Sequence, residues 1–191
     1  MTTAIIYAHP YDKSFNHAIL NTVLDSLRSQ KQEYELLDLY ADGFNPVYTK
    51  EELALFSQGQ ALDPLVQHYQ EVMKKSSRLI FIYPIWWNDV PAIVKGFFDK
   101  VFLKEFAYRD KPSGLLEGLL PNLQEAIIFS TSAGPTWYER FIAGNASKKI
   151  VLSNTLKSVG VQKKKWFNVG RVNKISDPER QAALKKIAEL V

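Results

Sequence analysis

RLIFIYPIWWNDVPAIVKGFFDKVF, residues 78–102, holds a run of apolar residues, a loop rich in Trp, Asn and Pro, and an apolar-striped segment. Arg78 to Ile82 reads as a central strand. Pro91 to Phe102 reads as a helix, with Pro91 suited to its first turn. A strand that feeds a helix through a short loop is the unit of a parallel α/β sheet. Outward from this stretch the same alternation continues. Upstream, residues 3–8 read as a buried strand and Asn16 to Arg28 as a helix striped by Ile19, Leu20, Val23, Leu24 and Leu27. Glu33 to Leu39 alternate like an edge strand, residues 40–60 are irregular with a short helix around Lys50 to Phe56, and Asp63 to Lys75 are helical. Downstream, Lys104 to Leu120 read as a long loop and Glu125 to Ser130 as a strand. Ser147 to Val159 read as a helix ending at Gly160, and Val161 to Val169 as the last strand. Ser176 and Glu179 form a capping box for a final helix. The order predicts a doubly wound five-stranded parallel sheet with helices on both faces and strand order 2-1-3-4-5.

The totals agree with this reading. A chain of 191 residues suits one domain over 1–191. No apolar run reaches the roughly 18 residues that a membrane span needs. The N-terminus enters a strand with no basic region or cleavage pattern, which predicts no signal peptide and a cytoplasmic protein. The chain has no cysteine, so disulfides, thiolate nucleophiles and Cys-ligated metals are excluded, and no metal site is expected. Redox chemistry, if present, must come from a bound cofactor. The net charge of +4 is uneven: residues 139–191 hold 12 Lys and Arg against 4 Asp and Glu. Lys163, Lys164 and Lys165 are the densest run, read as a solvated strand edge or as a face for anionic ligands. No nucleic-acid-binding motif accompanies it, so nucleic acid is not expected.

Three loops, each after a predicted strand, carry the unusual residues, and ligands of open α/β sheets bind at such strand ends. The first, Ala8 to Asn16, has no glycine, which excludes the G-x-G-x-x-G fingerprint. It offers His9, Ser14, Phe15 and Asn16 at the start of a helix, where free N–H groups suit phosphate and where Ser14 or Asn16 suit simple capping. The second runs through Pro84, Ile85, Trp86, Trp87 and Asn88. Its tryptophans read as an aromatic wall, or as one ring packed down and one at a pocket or a partner. The third has Thr131, Ser132, Ala133 and Gly134, then Trp137 and Tyr138. Its small residues allow close backbone approach, or mark a turn with two surface aromatics. Together the three suit a flat aromatic ligand with a phosphate tail, and a flavin fits best.

These residues resemble the NAD(P)H:quinone oxidoreductase family, flavoproteins of flavodoxin-like fold. The segments that carry the resemblance are Ala8-His9 with Ser14-Phe15-Asn16, Asp38-Leu39-Tyr40 with Phe44-Asn45-Pro46, Pro84-Ile85-Trp86-Trp87 with Val90 to Gly96, and Glu105-Phe106-Ala107-Tyr108. The resemblance implies bound FAD, with FMN as the alternative, and NAD(P)H as co-substrate. It implies a homodimer with the active site at the interface. It implies that His9, Ser14, Phe15 and Asn16 meet the diphosphate and adenosine end, and that Pro84 to Asn88 and Thr131 to Gly134 surround the ring. Tyr138 corresponds to the family's active-site tyrosine, with one residue deleted before it, and is the catalytic candidate. Trp87, Phe106 and Tyr108 are candidate walls for a small aromatic acceptor, the last two reaching across the dimer. The chain departs from the pattern at Trp86, Asn88 and Ala133, and the family's downstream histidine is absent where Ala143, Gly144 and Asn145 stand. The expected activity is two-electron, ping-pong reduction of quinones or similar acceptors. The alternative is a flavoprotein regulatory subunit of a membrane transporter of the potassium-efflux type, with the basic C-terminal third as docking face. A one-electron flavodoxin carrier is disfavoured by the basic charge.

Overall fold

The computed structural model describes residues 2–191. Strands β1 (Thr3–Tyr7), β2 (Tyr34–Asp38), β3 (Arg78–Pro84), β6 (Glu125–Thr131) and β7 (Lys163–Val169) form one sheet in the order β2-β1-β3-β6-β7, every pairing parallel. This is the expected 2-1-3-4-5 order. Helices α1 (Phe15–Ser29), α3 (Pro64–Lys75), α4 (Ala92–Val101) and α7 (Asp177–Leu190) connect or follow the strands.

Strand side chains alternate between two cores, because successive Cβ atoms leave opposite faces. Ile5, Tyr7, Ile80, Ile82, Ile127 and Phe129 face α1 and α7. Ala4, Ile6, Leu79, Phe81, Ala126 and Ile128 face α3, α4 and a segment near 151–161. Both faces of the inner strands are buried, which is why their sequences are continuous apolar runs.

The segment expected as a long loop contains a hairpin, β4 (Tyr108–Asp110) and β5 (Leu116–Gly118), tied by an Arg109–Glu117 ion pair at 2.7 Å. Three-residue strands are too short to show a period, so the sequence carries little signal for them. A six-residue helix, α5 (Thr136–Phe141), follows the third loop and was not expected. The predicted helix 147–159 is π-helical from Ser147 to Leu156 and closes with one α turn, α6 (Lys157–Val159).

The irregular 40–60 region is anchored by Lys100, a buried cation at the end of α4 whose side chain is 3% exposed. Its Nζ lies 2.8 Å from Glu52 Oε1 and donates to the Asn45 carbonyl at 3.1 Å. Glu52 belongs to helix α2 (Lys50–Leu55), which Thr49 caps. Burial pushes the Glu52 carboxyl up, but Lys100 and the Thr49 N–H outweigh it and hold it below the ordinary carboxylate range. Gly96 lets α4 approach this region: a Cβ there would stand 2.3 Å from Pro46 Cβ.

Candidate functional site

A cavity of about 450 Å³ opens at the carboxyl ends of β1, β3 and β6. His9, Ser14, Phe15 and Asn16 reach it from the first loop. Pro84, Ile85 and Trp86 come from the second, and Thr131, Ser132 and Ala133 from the third.

The first loop runs into α1. Ser14 Oγ accepts the His17 N–H at 3.1 Å, a standard N-cap. The Phe15 and Asn16 N–H groups, in the first turn, meet no acceptor among the described residues. Capping therefore leaves these two donors free for an anion. Asn16 Nδ2 donates to Thr131 Oγ1 at 2.9 Å and ties the first loop to the third. Asn16 Oδ1 is buried and has no partner among the described residues, so a ligand donor is what would satisfy it. His9 Nδ1 accepts the Tyr11 N–H at 3.1 Å, which leaves Nε2 as the proton-bearing nitrogen of a neutral ring. Burial lowers the His9 pKa and favours that neutral form.

The second loop is a two-residue turn. Trp86 N donates to Asp89 O at 3.0 Å and Asp89 N to Trp86 O at 3.1 Å. Trp87 and Asn88 at its tip have φ of 52° and 62°, the double left-handed pattern of hairpin turns. Asn tolerates that region; Trp does so at a cost. Neither tryptophan packs down as a core ring. Trp86 lines the cavity at 44% exposure, and Trp87 stands 98% exposed. The turn puts both tryptophans outside the sheet layers, where no described residue covers Trp87.

The third loop has its carbonyls turned into the protein. Ser132 O accepts Val172 N–H, and Gly134 O accepts both Arg171 N–H at 2.8 Å and Ser132 Oγ–H at 2.9 Å. The N–H groups of Ala133 and Gly134 have no acceptor among the described residues. Gly170 permits this close approach, since a Cβ there would stand 2.4 Å from Thr136 N.

Sequence reasoning missed Tyr11, Lys13, Val172, Asn173 and Arg180, which also line the cavity. Arg180, in the first turns of α7, donates to Val172 O at 2.9 Å and lies 5.4 Å over the Phe15 ring. Two cations, open N–H groups and aromatic faces make a site for an anionic ligand with a flat ring.

Over residues 1–191 the chain matches the model of a family described as having a flavodoxin-like fold. The chain belongs to that family. An uncharacterized NAD(P)H oxidoreductase of Haemophilus influenzae is 27% identical over 99% of this chain and 93% of its own. The human ribosyldihydronicotinamide dehydrogenase [quinone] is 32% identical over 61% of this chain, and the match spans 58% of that enzyme. Among solved structures, the Smu.1420 protein of Streptococcus mutans has a TM-score of 0.86 at 35% identity, covering 100% of this chain and 98% of its own. An NAD(P)H:quinone oxidoreductase from Methanothermobacter marburgensis has a TM-score of 0.86 at 26% identity, covering 99% and 96%. The resemblance drawn from the loops thus extends along the whole chain of this flavodoxin-like protein.

Not every candidate residue reaches the cavity. Gly134 and Tyr138 adjoin each other on its third-loop side without lining it. Asn88 and Trp87 are at the turn tip. Tyr108 lines a second cavity of about 550 Å³ that starts at Asp89 and Val90 and runs between α4, the β4–β5 hairpin and the π-helical segment. Phe106 packs at the edge of the core, 5.7 Å from Lys74 Nζ. The Lys163–Lys165 run opens the outer strand β7, with Lys165 paired to Glu125 at 3.0 Å. No helix among the described residues is long and apolar enough to cross a membrane.

Glu139, beside Gly134, is 5% exposed and has no cation partner among the described residues. Burial raises its pKa. A raised folded-state pKa favours folding while the acid is protonated and loses that contribution as pH rises through it. Glu139→Gln is therefore expected to raise Tm at pH 8 and leave it unchanged at pH 4. Thermal unfolding at the two pH values checks this; equal shifts at both would refute the burial cost.

Proposed function

We propose that the protein is a flavin-dependent NAD(P)H oxidoreductase that passes two electrons to quinones or similar aromatic acceptors. The observation that carries this reading is the three-loop cavity with its unpaired donors, in a chain whose relatives are NAD(P)H oxidoreductases and quinone reductases. The residues present fit a flavin. The first turn of α1, Lys13 and Arg180 suit phosphate, because free N–H groups, a positive helix end and fixed guanidinium donors converge there. Asn16 Oδ1 suits a ligand hydroxyl or N–H. Two cations and the Phe15 and Tyr11 rings favour a diphosphate and a second ring system, hence FAD over FMN. The Ala133 N–H, in the cavity wall, and the adjoining Gly134 N–H are unpaired, which supports a role for them at the ring edge that gains electron density on reduction.

When bound, the flavin supplies hydride acceptance and donation; the protein's part is binding and orientation. Ile85 N–H donates to Thr131 O at 2.7 Å and ties the second loop to the third, so Trp86 in the cavity wall would be held for a bound ring to rest against. His9 keeps a neutral Nε2–H donor in the cavity, and Tyr138 places a phenol beside Gly134. The histidine expected from the family has no counterpart here, which leaves Tyr138 as the hydroxyl donor to acceptor or ring. Tyr138→Phe is expected to cut acceptor turnover about 100-fold or more, in the range of one positioned proton donor, while flavin stays bound. Unchanged turnover with every quinone tried would remove its chemical role.

We place the chain as one domain over 1–191 working as a cytoplasmic homodimer. Trp87, Trp137, Phe141, Ile142 and Ile150 expose large apolar side chains, more than a lone subunit would leave in water without purpose. A second copy is the partner we propose for them, with Tyr108 and Phe106 reaching the acceptor across the interface. The first test is to purify the protein, release any chromophore and weigh it. FAD or FMN mass, with a visible spectrum bleached by anaerobic NAD(P)H, is expected. A colourless protein that refuses both flavins overturns the reading.

A further inference from the structure

We propose that Asn168, behind the third loop on β7, is a positioning residue that sets how this loop meets the flavin ring and thereby tunes the ring's reduction. The inference rests on the flavin reading above. Asn168 is 8% exposed and does not line the cavity. Its side chain nevertheless joins the third loop to both its flanks: Oδ1 accepts from Ser130 Oγ in β6 at 2.9 Å, and Nδ2 donates to Ser132 Oγ in the loop at 2.9 Å and to Thr136 Oγ1 at the start of α5 at 3.0 Å.

The direction of every proton follows from one group that only donates and two carbonyls that only accept. Trp166 Nε1 can only donate, and it donates to Ser130 Oγ at 2.9 Å. The Ser130 proton is then free for Asn168 Oδ1, and because the Gly134 and Asn168 carbonyls take the Ser132 and Thr136 protons, those two hydroxyls can only accept from the other end of the amide. Nδ2 therefore donates onward. Ser132 accepts that bond and spends its own proton on the Gly134 carbonyl at 2.9 Å; Thr136 spends its proton on the Asn168 carbonyl at 3.1 Å. The network is fully satisfied and runs one way, from the outer strand to the loop carbonyl. Such buried networks specify one geometry and tolerate no reversed member. The result is a loop whose Gly134 oxygen is held inward and whose Ala133 and Gly134 N–H groups stay unpaired.

Aspartate at this position has nearly the shape of asparagine but places an acceptor where Nδ2 donates. Ser132 must then turn its proton to the aspartate and release the Gly134 carbonyl. A negative charge would also lie behind the ring edge that becomes electron-rich on reduction. The test loads full-length wild-type protein, Asn168→Asp and Asn168→Leu with FAD. It measures affinity for the oxidised flavin by fluorescence quenching, the two-electron potential by equilibration with a reference dye, and Tm without flavin. Asn168→Asp is expected to weaken binding of the reduced flavin about tenfold relative to the oxidised form, a potential about 30 mV more negative. Asn168→Leu is expected to weaken both forms alike, leaving the potential near wild type. A folded Asn168→Asp protein with wild-type potential overturns the proposal, because a merely structural role moves Tm and not the potential. If Asn168→Asp does not fold, Ser132→Ala removes the hydroxyl between Asn168 and Gly134 without burying charge. It must weaken flavin binding about tenfold, and wild-type affinity there overturns the proposal equally. Wild-type protein that binds no flavin overturns the proposed function itself, a distinguishable result.

Discussion

Lys100→Met is expected to lower stability by about 3–5 kcal/mol, the cost of leaving one member of a buried ion pair uncompensated. Lys100 is the only cation paired with Glu52 among the described residues, and the carboxylate is nearly as buried as the lysine. Methionine fills the aliphatic stem but abandons Glu52, the Asn45 carbonyl and the half-buried Asp63 carboxylate 3.8 Å away. The double change Lys100→Met with Glu52→Leu should recover most of the loss, since apolar replacement of a whole buried pair is often neutral or better. The pH dependence has a definite sign. Glu52 has a folded-state pKa below its unfolded value, so its contribution is present above about pH 4.5 and fades as pH falls through the folded value. The penalty of the single variant should therefore shrink in acid. Urea unfolding at neutral and acid pH checks both statements; a single-variant loss under about 1 kcal/mol would mean that water reaches Glu52.

Arg180→Ala is expected to weaken flavin binding about 10- to 100-fold, the range for a lost charge-assisted hydrogen bond of about 1.5–3 kcal/mol. The side chain is already held by Val172 O and the Phe15 face, so its donors are aimed before the ligand arrives. Arg180→Lys should restore only part of the affinity, because an ammonium cannot keep the planar contact with Phe15 and the Val172 bond together. Lys13→Ala should cost less, and its effect should fade with salt. Flavin titration followed by fluorescence separates these cases. Wild-type affinity in Arg180→Ala would place the phosphate end elsewhere.

What could be read from the sequence follows from how strongly each element is constrained. β1, β3 and β6 lie between two cores, so their apolar runs admit one reading. α1 and α3 carry an apolar stripe and an N-cap each. The β4–β5 hairpin and α5 are too short to carry a period, and the π-helical segment differs from an α-helix in hydrogen bonding that composition does not encode. In the site, the residue types of the three loops were legible because each follows a strong strand. Arg180 was not, because its helix reads as an ordinary amphipathic one. A hint was present: a cation in the first turns of α7 opposes the positive helix end, which usually marks a side chain with another task. Trp87 and Asn88 show the opposite case, where the turn geometry was latent in the Asn and Asp of the sequence but the full exposure of Trp87 was not.

The Lys163–Lys165 run bears on how this sheet avoids polymerising. β7 is an outer strand with one unpaired row of backbone groups, and such a row is a template for a strand from another molecule. Three consecutive lysines at its start send positive charge to both faces of the edge, so a second copy of β7 aligned there in register meets repulsion before its backbone can pair. The basic end of the protein thus works as a fence along an otherwise adhesive border.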